Sequence, residues 1–177
     1  RLNPTEEKRS AVAIGLGIAL RKHNRRGLAL KGITYLPMRP YRGLLSISEK
    51  SGILSLGYTP DGPYSPHQAS ELLVLAEKRK LRSEARMLGA MRRRAAACTL
   101  ADDTFIVAEA TADNLEPITL ALLDAGCDHI FALDRGKQAN AYIKFPEANA
   151  PLASHYKETT LFALATEAKG TARLLKE

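Results

Sequence analysis

Apolar residues along this chain gather in short runs broken by polar, glycine- and proline-rich turns, a pattern of strands more than of helices. Residues 11–20 (AVAIGLGIAL) form the first run and predict a core strand, followed by a basic loop at 21–26 (RKHNRR). Runs 27–30 and 33–36 flank Lys31-Gly32, which predicts two short strands joined by a tight hairpin. After an extended connector at 37–42, the runs 44–47 and 53–58 flank Glu49-Lys50-Ser51-Gly52, a second hairpin. Two hairpins in succession point to an antiparallel sheet. Pro60, Pro63 and Pro66 make 58–66 a loop.

The next stretch, 68–92, carries two readings. Leu72, Leu73, Leu75, Ala76, Leu81, Ala85, Leu88 and Met91 line up as a helical stripe, with Lys, Arg and Glu opposite, so a helix from about Ser70 is one of them. Gly89 weakens its end. Further on, 95–100 and 105–110 flank Ala101-Asp102-Asp103-Thr104 and predict a third hairpin. Thr111, Ala112 and Asp113 are cap candidates for a helix over 115–125, which Gly126 stops. The run 129–133 (HIFAL) is then a strand. A strand–helix–strand passage of this length predicts a crossover between strands running in parallel. Runs 141–145 and 160–165 are two further strands. The fold class is therefore α+β, with a mixed, largely antiparallel sheet and one strand–helix–strand crossover.

Length and composition fit one domain spanning 1–177: hydrophobic residues are 45% of the chain and charged residues 25%, ordinary for a folded protein. No apolar run approaches the roughly 18 residues of a membrane span. The chain opens at Arg1, which reads as a fragment or a processed form. Cys98 and Cys127 are too few for a disulfide scaffold, and buried thiols are favoured over a bridge.

The net charge of +7 implies attraction to polyanions: nucleic acid, anionic lipid or phosphorylated glycans. It is concentrated at Arg21, Lys22, Arg25 and Arg26 and in the run 78–94. That run makes non-specific nucleic-acid binding one alternative, although aromatic residues, at 6%, offer few stacking platforms. His23, His67, His129 and His155 follow no metal-ligand spacing, and no metal or cofactor is implied. His129, on an apolar run, reads as a satisfied core histidine. Asp134-Arg135-Gly136-Lys137 directly follows a buried strand, the position at which α/β folds place ligand sites. It offers a carboxylate, a planar donor fork, close backbone approach and a point cation, a set suited to phosphate or sugar hydroxyls.

The order of these features resembles the phosphodiester glycosidase family, whose founding activity removes N-acetylglucosamine from a phosphodiester-linked glycan. Gly27-Leu28-Ala29-Leu30-Lys31-Gly32 is similar to its early Gly-Leu strand. Arg94-Ala95-Ala96-Ala97-Cys98, Asp102-Asp103 and FIVAEA resemble its Arg-Thr-Ala-Val-Gly block, and the helix ending at Gly126-Cys127 resembles its following helix. Leu133-Asp134-Arg135-Gly136 stands where the family carries Leu-Asp-Gly-Gly-Gly-Ser. The likeness spans about 11–165, with its specific part at 94–136. It implies that Arg94 and Asp134 are catalytic residues of one cleft, with Gly136 and its neighbours Arg135 and Lys137 contacting a sugar phosphate or anionic glycan. Apart from the resemblance, His23 in the basic loop is a further substrate-binding candidate. It also implies an extracytoplasmic or secreted protein, and a strand over 72–76 rather than a helix. The family's opening Asn-(Gly/Ala)-Gly-Phe is replaced by Ile14-Gly15-Leu16-Gly17-Ile18. Hydrolysis of a sugar phosphodiester, or a related glycosidic linkage, and non-catalytic binding of an anionic glycan or protein partner are thus both expected readings.

Overall fold

The computed structural model describes residues 10–15, 26–51, 54–61, 68–134, 141–143 and 160–164. Nine strands form one sheet: β2 (Leu28–Leu30), β3 (Ile33–Leu36), β4 (Gly43–Ile47), β5 (Leu54–Tyr58), β6 (Gln68–Glu77), β7 (Lys80–Leu81), β8 (Arg92–Thr99), β9 (Phe105–Ala112) and β10 (Ile130–Asp134). A separate three-stranded sheet sets β1 (Ser10–Gly15) between β11 (Ala141–Ile143) and β12 (Thr160–Leu164). One α-helix is present among the described residues, α1 (Glu116–Asp124). All pairings among the described residues are antiparallel, so the architecture is α+β.

Local chemistry explains most of the turns. Lys31 and Gly32 both take positive φ (53° and 75°), the conformation that joins β2 to β3 without splaying them. Between β8 and β9, the Asp102 carboxylate accepts from the Thr104 N–H at 3.0 Å. This bond holds the Asp102 carboxyl below its ordinary pKa. The cap of α1 differs from expectation: Thr111 and Ala112 still belong to β9, and Asn114 Oδ1 accepts from the Glu116 N–H at 3.0 Å instead. Gly126, at φ 100°, ends the helix as expected.

The helical reading of 68–92 gives way to a long strand. β6 is buried on both faces, because its residues enter two different cores, with a register irregularity that sends both Leu75 and Ala76 into the same one. Leu72 and Val74 join Leu28, Leu45, Ala95, Ala97, Phe131 and Leu133 in one. Leu75 and Ala76 join Ala96, Cys98, Ile130 and the inner face of α1 in the other. A run apolar on both faces satisfies a period of 2 and a period of 3.6 together, and the flanking strands decide between them. Past Glu77 the chain turns at Lys78-Arg79, both at positive φ, and passes through a short 3-10 turn (Ser83–Arg86) into β8.

The expected crossover is also modified. β9 and β10 run the same way, but β8 lies between them and pairs antiparallel with each, so they do not pair with one another. β8 has one edge taken by its hairpin partner, and β10 adds to the free one. Cys98 and Cys127 are not free thiols: both are fully buried and bonded to each other, with Cα atoms 6.0 Å apart. The helix returns the chain over β8, which brings the end of α1 onto that strand. Of the expected first strand 11–20, only its beginning falls in β1, and 16–20 lie outside the described residues.

Candidate functional site

The register of three neighbouring strands defines the region of interest. Ala132 of β10 lies opposite Ala96 of β8 and Leu73 of β6. One step beyond that row the register slips, and Asp134 faces Ala95, the residue after Arg94. Two residues from the row in the same direction stand Arg94 on β8 and Glu71 on β6. By strand alternation both occupy the face that carries α1. Arg94, Glu71 and Asp134 thus stand on three neighbouring strands, β8, β6 and β10.

Arg94 is only 6% exposed. Its Nε donates to the Ala112 carbonyl at 2.9 Å, and its Nη2 donates to the carbonyls of Ala90 and Asp113 at 3.1 and 2.6 Å. The guanidinium thereby ties the start of β8 to the end of β9 and to the loop before β8. A buried cation with this many carbonyl partners is a positioned group, which the charge run 92–94 did not reveal.

Glu71 is 1% exposed in the middle of β6. Arg39 grips its carboxylate with a fork: Nε donates to Oε1 and Oε2 at 2.9 and 3.2 Å, and Nη2 to Oε1. The Gly27 N–H donates to Oε2 at 3.0 Å. Arg39 keeps about half of its side chain in solvent (46%), so a surface cation closes over an interior anion. Sequence reasoning missed this pair, having read Glu71 as the polar side of a helix. The available signal was an acid, Glu71, in the interior of a largely apolar run.

Elsewhere, the Tyr58 hydroxyl and His129 Nδ1 share a hydrogen bond of 2.9 Å, and the Tyr58 ring meets Phe131 edge-on. Burial first, then the Glu77 charge, raises the Tyr58 pKa, with Arg82 opposing. The partner supplied by Tyr58 fits His129 as a satisfied histidine. Of the other sequence-derived site residues, Asp134 ends β10, while Arg135, Gly136, Lys137 and His23 lie outside the described residues.

The basic run 78–94 does not form one surface. It is divided among the β6–β7 turn, the 3-10 turn and β8, and Arg94 points inward. Arg79, Arg82, Arg86 and Arg93 each stand within 4 Å of a carboxylate, from Asp128, Glu77, Glu116 and Glu109 respectively. Among the described residues no group of His, Cys, Asp or Glu is placed to hold a metal ion, and no helix is long and apolar enough to cross a membrane. No family model matches the chain, and no curated protein matches it.

Proposed function

We propose that the chain is a glycan-directed domain of phosphodiester glycosidase-like fold, taking a sugar phosphodiester at the end of β8 and β10. The observation that carries this reading is the register that sets Asp134 opposite Ala95, beside Arg94. In this reading the Arg94 guanidinium, with Arg135 and Lys137, meets the phosphate, and the Asp134 carboxylate orients a sugar hydroxyl or water. Glu71 already accepts from Arg39 and Gly27, so its carboxylate oxygens are engaged within the fold. Asp102, Asp103, Glu109 and Asp134 are the candidate carboxylates for the acid and base that glycoside cleavage needs, and Asp134 is the one that the resemblance places in the cleft. The Cys98–Cys127 bond supports an oxidising, extracytoplasmic setting.

Incubation with methyl phosphodiesters of N-acetylglucosamine and related sugars, followed by assay of released sugar, tests the catalytic form of the proposal. Turnover that falls in Asp134→Ala supports an enzyme. Saturable binding without turnover assigns a non-catalytic module on the same fold. Absence of both rejects the proposal.

A further inference from the structure

β9 ends the path of the large sheet opposite β3, and among the described residues no strand pairs with its outer side. Solvent reaches that side. Ala96 on β8 is fully buried, whereas its direct partner Ala108, packed on the same core, is only half-buried. Folded proteins guard such an edge with a short strand, a bulge, a lysine or a proline. β3 has two of these devices: it is four residues long, and its register with β2 shifts. β9 has none of them. It runs for eight residues (FIVAEATA) in unbroken register with β8. Its opening residues Phe105, Ile106 and Val107 are strong strand formers and stay half-buried, so an added strand would extend the cover of both cores.

The ends of this edge are acidic. Asp102 and Asp103 precede β9, Asp113 follows it, and no Lys or Arg stands between Ala95 and Asp134. Asp103 is exposed, and Asp113 meets Arg94 through its carbonyl rather than its carboxylate. Within the strand, Glu109 has Arg93 at 3.6 Å, which leaves the three aspartates to set the local field. That field is opposite in sign to the net charge of +7, and salt screens the more distant cations over about 10 Å. The same charges oppose self-pairing: two antiparallel copies of β9 in full overlap would set Asp103 of each against Asp113 of the other.

We infer that β9 is a docking edge for an extended basic segment of a partner protein. The segment adds as an outer strand through backbone hydrogen bonds and sets its cations against Asp102, Asp103 and Asp113. The inference does not rest on the sugar site.

The test uses the whole chain and three labelled peptides: Lys-Val-Thr-Val-Thr-Val-Lys, its Glu-ended counterpart, and the Lys-ended peptide with alternate backbone nitrogens methylated. Fluorescence anisotropy is expected to show binding of the first, roughly tenfold weaker binding of the second, and none of the third. Asp103→Asn with Asp113→Asn is expected to weaken the first by about threefold per charge. Asn is chosen because it tolerates the positive φ of residue 103 (64°). Hydrogen exchange is expected to slow in 105–112 on binding and not in 33–36. No binding of the first peptide, equal binding of either control peptide, or Asn variants that bind like the parent each overturns the inference. So does slowed exchange outside β9, or a concentration-dependent dimer that protects 105–112 without peptide, which would give the edge to a second copy.

Discussion

Replacing Arg94 separates two roles that the guanidinium can play, strut and ligand. Arg94→Ala leaves the carbonyls of Ala112, Ala90 and Asp113 without the donors they now have. Hydrogen bonds to a charged group contribute about 1.5–3 kcal/mol each, and three to one side chain are not additive. Water reaching the exposed loop carbonyl of Ala90 recovers part of the loss, which sets the net cost at about 3–5 kcal/mol. Arg94→Lys keeps the charge but loses the planar fork, and is expected to cost about half as much. Stabilities of natural domains are about 5–15 kcal/mol, so the Ala variant stands near the edge of folding. The assay is urea unfolding followed by circular dichroism. With a slope of about 2 kcal/mol per molar, the Ala midpoint should fall by roughly 1.5–2.5 M. A midpoint within about 0.3 M of the parent would refute the strut, and would return the whole guanidinium to ligand binding.

Three further outcomes follow from the geometry. Arg39→Ala leaves Glu71 buried without its fork and should cost about 2–4 kcal/mol, somewhat less than for a fully buried pair because Arg39 is half in solvent. Adding Glu71→Gln should recover part of that loss, and a double variant no better than Arg39→Ala contradicts the pairing. Gly43→Ala would set a Cβ 2.6 Å from Phe131 Cδ1 and 3.0 Å from the Leu72 carbonyl oxygen, so a loss of about 1–3 kcal/mol is expected in the same urea assay. Tyr58 retains its proton in the folded state at pH values where the unfolded chain has shed it, because burial lifts its folded pKa above the ordinary tyrosine value of 10.0. Stability should therefore fall as pH rises through about 10 toward that folded pKa, and Tyr58→Phe should flatten the decline. A Tyr58→Phe slope equal to that of the parent would show that another group causes it.

Hairpins were the most legible part of this fold, because Lys31-Gly32 and the acidic turn at 101–104 carry their geometry in residue type. Helix α1 was visible through spacing and Gly126, though its cap fell one to three residues beyond the expected ones. β6 was ambiguous for a physical reason: its side chains feed two cores, so hydrophobicity alone does not set the period. The resemblance implied a strand over 72–76 where periodicity suggested a helix, and the structure takes the strand. The partner of Glu71 was hidden for another reason, since an ion pair between Arg39 and a residue on another strand leaves no local pattern. Arg94 and Asp134 were both singled out from sequence, and the register brings their strands together. What sequence did not show is that three N–H groups of Arg94 are already in use. Leu88 and Met91 were read as part of a buried stripe and instead stand in solvent, because the chain leaves β6 at Lys78-Arg79 and never forms the helix that would have hidden them.

The proposed function turns on whether the strand end at Asp134 recognises a sugar phosphodiester. Calorimetric titration of the chain and of Asp134→Asn with the methyl phosphodiester of N-acetylglucosamine 1-phosphate measures this directly. Saturable binding by the chain, weakened about tenfold or more by the Asn substitution while the urea midpoint stays unchanged, is the expected result. No binding by the chain, or equal binding by both, contradicts it.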